Sequence, residues 1–132
     1  MSPALEGLLS RVEAATGPDR ELDRDLAVAI GGYERVEMHP HFMRETTTNR
    51  VGWYGRMAPF YTSSIDAALA LVERVLPGAQ WEITNLYGAA KAELPLNHGD
   101  GSVQGAWRED GNVPLAILAA TCRALLAKVS PQ

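Results

Sequence analysis

Apolar residues recur at helical spacing along the first thirty positions of the chain. Leu5, Leu8, Leu9 and Val12 share one face, and Ser2–Pro3 supplies a cap and a first-turn proline, predicting a short helix over 3–15. Thr16, Gly17 and Pro18 break it, and Pro18 is placed to open a second helix because its fixed φ suits a first turn. Leu22, Leu26 and Ile30 form the apolar stripe of that helix, with Asp19, Glu21, Asp23 and Asp25 near its positive end, and Gly31–Gly32 close it. Periodicity then fails from Tyr33 to Thr62. Alternation at Val36 and Met38, and again at Val51 and Trp53, predicts short strands over Val36–Phe42 and Val51–Met57, joined by a turn at Thr46–Asn49.

The second half is more regular. Ser63 with Asp66 reads as a capping box, and Ile65, Leu69, Val72 and Leu76 follow on one face, predicting a helix over 64–76 that stops at Pro77–Gly78. Trp81, Ile83 and Leu86–Tyr87 mark a strand over 80–87, and Gly88–Ala90 a turn. Ala92, Leu94 and Leu96 mark a second strand, with Pro95 at an edge or an end; His98–Gly101 turns, and Val103–Arg108 is a third strand. Asp110–Asn112 leads into a last helix over 113–128 with Leu115, Leu118, Cys122, Leu125 and Val129 buried; Ala116, Ala119, Ala120, Ala124 and Ala127 permit close packing. The predicted class is α+β, an antiparallel sheet of about three to five strands covered by helices, in the order α-α-(β-β)-α-β-β-β-α.

With 132 residues, one core and a single domain over 1–132 are expected, with 33–62 as an insertion rich in arginine and aromatic residues. An apolar content of 46% excludes a disordered chain, and the net charge of −4 offers no general attraction to phosphate backbones. The lone Cys122 precludes an intrachain disulfide and a cysteine-rich zinc site, and its place on the last helix reads as a buried hydrophobe. The first residues lack the pattern of a signal peptide, and no apolar run is long enough to span a membrane, so a cytoplasmic location in the host cell and no membrane partner are expected.

Four blocks carry a likeness: RVEAATGPDRELDRDLAVAIGG at 11–32, PFYTSSIDAALALVERVLPG at 59–78, KAEL at 91–94 and NVPLAILAATCRALLAK at 112–128. Together they resemble the phage-type α/β/α (ABA) sandwich family, short phage and prophage proteins of unknown function. The resemblance implies a fold and a viral setting, and transfers no activity to any residue. The matched blocks read as caps, turns and core stripes, and leave 33–58 and 97–110 outside the likeness.

Candidate chemistry is sparse. The order helix, three strands, helix from residue 63 is also that of double-stranded RNA-binding domains, which carry a lysine-rich turn before the last helix. Here the turn holds Arg108, Glu109 and Asp110, so no double-stranded nucleic acid partner is expected. No P-loop, G-x-S-x-G or H-E-x-x-H motif occurs; no cofactor and no catalytic residue is expected. His39 and His41, two apart on a strand, would need His98 nearby to make a metal site, and packing or surface roles suit them better. Residues 33–62 hold six of the nine aromatics and a local excess of arginine over glutamate. That mixture suits a protein interface, one side of a small core, or a groove for single-stranded bases. Arg35, Phe42, Arg44, Arg50, Trp53, Tyr54 and Arg56 are the candidate interaction residues. The expected function is that of a non-enzymatic phage accessory protein binding another protein, such as a host defence complex, with a homodimer also open. A virion or assembly component and a histidine-ligated metal enzyme are the alternatives.

Overall fold

The longest helix is buried along most of its circumference. In the computed structural model, which describes residues 3–36, 39–53, 57–77, 81–86, 88–95 and 103–129, every residue from Leu115 to Cys122 is buried. Among the described residues four helices, α1 (Pro3–Ala14), α2 (Arg20–Ala29), α3 (Ile65–Val75) and α4 (Val113–Val129), accompany six strands. β1 (Tyr33–Val36), β2 (His39–Glu45) and β3 (Val51–Trp53) form one antiparallel sheet in chain order; β4 (Glu82–Leu86), β5 (Ala89–Pro95) and β6 (Val103–Arg108) form a second. The class is α+β, and the order of two helices, strands, a helix, strands and a last helix is the one predicted.

Helix α4 packs against α1, α3, β5 and β6. Its stripe of small residues explains how one helix serves so many neighbours. Ala116, Ala119, Ala120 and Ala124 are buried, and the facing side of the second sheet is also built from alanines, Ala90, Ala92 and Ala106. Small residues on both sides let backbones approach closely and keep the core dense. Thr121 is buried without penalty because its hydroxyl donates to the Ile117 carbonyl at 2.7 Å. Cys122 belongs to the same core, and burial pushes its thiol up to about 12.

Several local expectations are corrected. Pro18 precedes α2 without opening it; Asp19 is the cap, its carboxylate accepting from the Leu22 amide at 3.0 Å. At α3 the cap is Ser64, not Ser63: its hydroxyl accepts from the Ala67 amide at 3.1 Å. The buried face is Ala68, Leu71, Val72 and Leu76, with Leu69 packed against it and Ile65 exposed. The single strand expected over 36–42 divides into β1 and β2, whose register shifts between Arg35 and Val36. Ala89 and Ala90 lie in β5 and not in a turn.

Asp23, one of the acids near the positive end of α2, is fully buried. Its carboxylate accepts from the Thr62 amide at 2.7 Å and from Arg20 at 2.9 Å. Arg20 also donates to the carbonyls of Ala58 and Pro59 and lies over the Phe60 ring, 3.9 Å from its centroid. The Thr62 hydroxyl in turn accepts from the Asp19 amide at 2.8 Å. These bonds clamp 58–62 to the start of α2 and satisfy the buried carboxylate.

Candidate functional site

The first sheet presents two chemically different faces. Cross-strand partners share a face, so the pairs Glu34–Arg44, Arg44–Val51 and Phe42–Trp53 place Glu34, Phe42, Arg44, Val51 and Trp53 together on its outer side. Met43, alternating with them, is buried in the core. Trp53 is 57% exposed and Val51 51%, while Phe42 and Trp53 meet edge-to-face with ring centroids 4.7 Å apart. Arg44 donates from Nε to Glu34 at 2.6 Å, and a second nitrogen reaches the same oxygen. Arg50, at the turn, lies 3.7 Å from Glu45 with its side chain largely in solvent. The turn itself matches its prediction: the Asn49 amide donates to the Glu45 carbonyl at 2.8 Å, and Asn49 takes the left-handed conformation that asparagine tolerates.

Of the residues predicted to form an interaction surface, Phe42, Arg44 and Trp53 thus share one patch with Arg50 at its margin. Arg35 does not join them. It alternates to the opposite face and reaches Asp25 of α2 at 3.4 Å, where Arg11 also binds at 2.6 Å. Tyr54 and Arg56 lie outside the described residues, as does His98. His39 and His41 occupy alternate positions of β2; among the described residues no group of three or more metal-ligating side chains converges.

The outer face of the second sheet offers a contrast. Glu82, Thr84, Lys91 and Glu93 line it with Trp107, and Lys91 pairs with Glu93 at 3.1 Å. One exposed tryptophan in a charged setting is ordinary; exposed Trp53 and Val51 adjoining a half-buried Phe42 are less so.

Behind the first sheet lies a cavity of about 200 Å³ between the end of α2, the β1–β2 ladder and α3. Tyr33 and Glu45, directly paired across the ladder, line it with Tyr61, Arg74, Leu71 and the Gly31–Gly32 backbone. The two glycines make it possible. A Cβ on Gly31 would fall 2.5 Å from the Tyr61 hydroxyl, and one on Gly32 would occupy the space of the Arg74 guanidinium. Sequence reading saw in these glycines only a helix stop. The Thr46 amide and hydroxyl both donate to the Gly32 carbonyl, at 3.0 and 2.8 Å, fixing the turn to the cavity wall. Burial raises the Tyr61 pKa strongly, and burial followed by the Glu45 carboxylate raises that of Tyr33, against the lowering pull of Arg50 and Arg74.

A larger cavity, about 370 Å³, is lined by Glu13, Trp107, Arg108, Asp110 and Arg123. Its arginines are committed. Arg108 donates to the Val12 and Ala15 carbonyls at the end of α1 and to Asp110, and Arg123 to the Gly105 carbonyl and to Glu13. The arginine before the last helix therefore binds the chain itself.

No protein-family model matches the chain, and no curated protein does. Among solved structures, a phage protein from Bacillus cereus ATCC 14579 is similar with a TM-score of 0.54 at 21% sequence identity, over 84% of this chain and 94% of that one. At that identity the likeness is one of fold.

Proposed function

We propose that the chain is a non-enzymatic phage accessory protein that acts by binding a host-encoded protein through the outer face of its first sheet. The observation that carries this reading is the patch of exposed Val51 and Trp53 packed on half-buried Phe42, flanked by Arg44 and Arg50. An aromatic centre with arginine at its rim is the composition of residues that dominate binding energy at protein interfaces. The partner suited to it has an apolar pocket for the Trp53 indole and carboxylates opposite Arg50 and Arg44. The sequence likeness to the ABA sandwich family and the fold shared with a Bacillus cereus phage protein support the phage setting. A component of a defence complex is the host partner this reading favours.

Incorporation of a photo-crosslinking residue at Val51, with irradiation inside host cells, tests the proposal. A discrete heterologous adduct, absent when the same residue is placed at Thr84 on the outer face of the second sheet, is expected. Adducts only with a second copy of the chain, or only with other proteins of purified virions, would contradict it.

A further inference from the structure

The cavity behind the first sheet is lined as a small binding site, distinct from the outer face. Glu45 and Arg74 bring opposite charges to one space without pairing: Glu45 has Arg50 at 3.7 Å, and Arg74 makes no ion pair among the described residues. The Tyr33 hydroxyl lies within electrostatic reach of both. Tyr61 is only 4% exposed and lines the cavity, its hydroxyl standing over the Gly31 backbone. The remaining side chains of the wall are Pro59, Ala67, Ala70 and Leu71, with Thr47 as one further polar group. The cavity, about 200 Å³, is small beside the 300–1,000 Å³ usual for drug-sized ligands.

We infer that this cavity binds a small zwitterion, a free α-amino acid with a short aliphatic side chain. Its carboxylate pairs with the Arg74 guanidinium and accepts from the Tyr61 hydroxyl. Its ammonium donates to Glu45, and its side chain lies against Ala67, Ala70 and Leu71. A simple anion would meet the Glu45 carboxylate and a simple cation the Arg74 guanidinium, so a ligand carrying both charges is the complementary one. Gly31 and Gly32 keep the space clear for the two donors.

L-valine titrated into the 15N-labelled full chain at millimolar concentrations, followed by amide chemical shifts, is the test. Saturable shifts at Gly31, Gly32, Ala67 and Ala70 are expected. Isovalerate, lacking the ammonium, and isobutylamine, lacking the carboxylate, should each bind at least about tenfold more weakly, since each loses one charge-assisted contact. Arg74→Met and Glu45→Gln should weaken valine binding to a similar extent, while Trp107→Ser leaves it unchanged; unaltered far-UV circular dichroism shows that each variant folds. Absence of saturable shifts with valine overturns the inference. So does isovalerate binding as tightly as valine, or valine binding that survives Arg74→Met. None of these results bears on the outer face, so this inference and the proposed function fail separately.

Discussion

Replacing Asp23 with alanine should destabilise the chain by about 3 kcal/mol, the largest single effect expected outside the apolar core. The substitution removes a fully buried carboxylate that holds the Thr62 amide and Arg20. Breaking a buried pair by deleting one partner costs about 3–5 kcal/mol, because the other is left uncompensated. Arg20 places the effect at the lower end: about a third of its side chain reaches solvent, and it keeps two carbonyl acceptors and the Phe60 ring. The Thr62 amide has no such recourse, and its orphaning alone costs about 1–3 kcal/mol. Asp23→Asn retains an acceptor for that amide and loses the charge, so about 1–2 kcal/mol is expected. A chain of this length has roughly 7–20 kcal/mol of stability, so both variants remain folded at room temperature. Urea unfolding should be followed by far-UV circular dichroism rather than fluorescence, since Trp53, Trp81 and Trp107 are all exposed in the native state. The Asp23→Ala midpoint should fall by about 1–2 M urea with an unchanged slope. A loss under about 1 kcal/mol, or equal losses for alanine and asparagine, would refute the clamp as the organiser of 58–62.

Four further outcomes follow from the same geometry. Ala120→Leu inserts bulk where α4 is fully buried, and a loss of about 1–3 kcal/mol in the same urea assay is expected. Gly111→Ala should cost well over 1 kcal/mol, because Gly111 has φ +74° and an added Cβ would meet the Gly88 carbonyl oxygen; Gly88→Ala, at φ +82° but facing open space, should cost only about 1 kcal/mol. Cys122, with its thiol pushed up to about 12 by burial, should resist Ellman's reagent in the native protein and react at once in urea. The Arg108 hydrogen bond, with help from the Asn112 amide, lowers Asp110 from 3.8 to about 2, so its stabilising contribution is complete above pH 4 and is lost as pH falls towards 2. Asp110→Asn should therefore narrow the stability difference between about pH 5 and about pH 2.5, by a small amount because the carboxylate is exposed.

The scaffold was more legible in the sequence than the surface it carries. The apolar stripes, such as that from Leu115 to Cys122, and the breaks at Gly31–Gly32 and Pro77 are local signals, and they located the four helices among the described residues and most of the strands there. A cap is set by one hydroxyl reaching one amide, however, and Ser63–Ser64 offers two; the buried face is set separately by the elements packed on the helix, which cover Leu71 and leave Ile65 exposed. Phe42 and Trp53 were singled out by residue type, but their contact depends on the β2–β3 register. Arg35 looked equivalent and was turned away by the alternation of β1. Tyr33, Glu45, Tyr61 and Arg74 are scattered over forty residues and no motif unites them. Their only signal was the Gly31–Gly32 pair, which reads as a helix stop until the side chains packed on it are seen.

The central claim, that Trp53 anchors a host protein, is tested most directly by quantitative affinity capture from host lysate with the wild type, Trp53→Ser and Trp107→Ser. The last two remove tryptophans of similar exposure, 57% and 51%, from different sheets. A partner enriched by the wild type and by Trp107→Ser, and reduced at least about tenfold by Trp53→Ser, is the predicted result, as befits an interfacial anchor residue. Equal recovery with all three proteins, or no partner with any of them, would contradict the account.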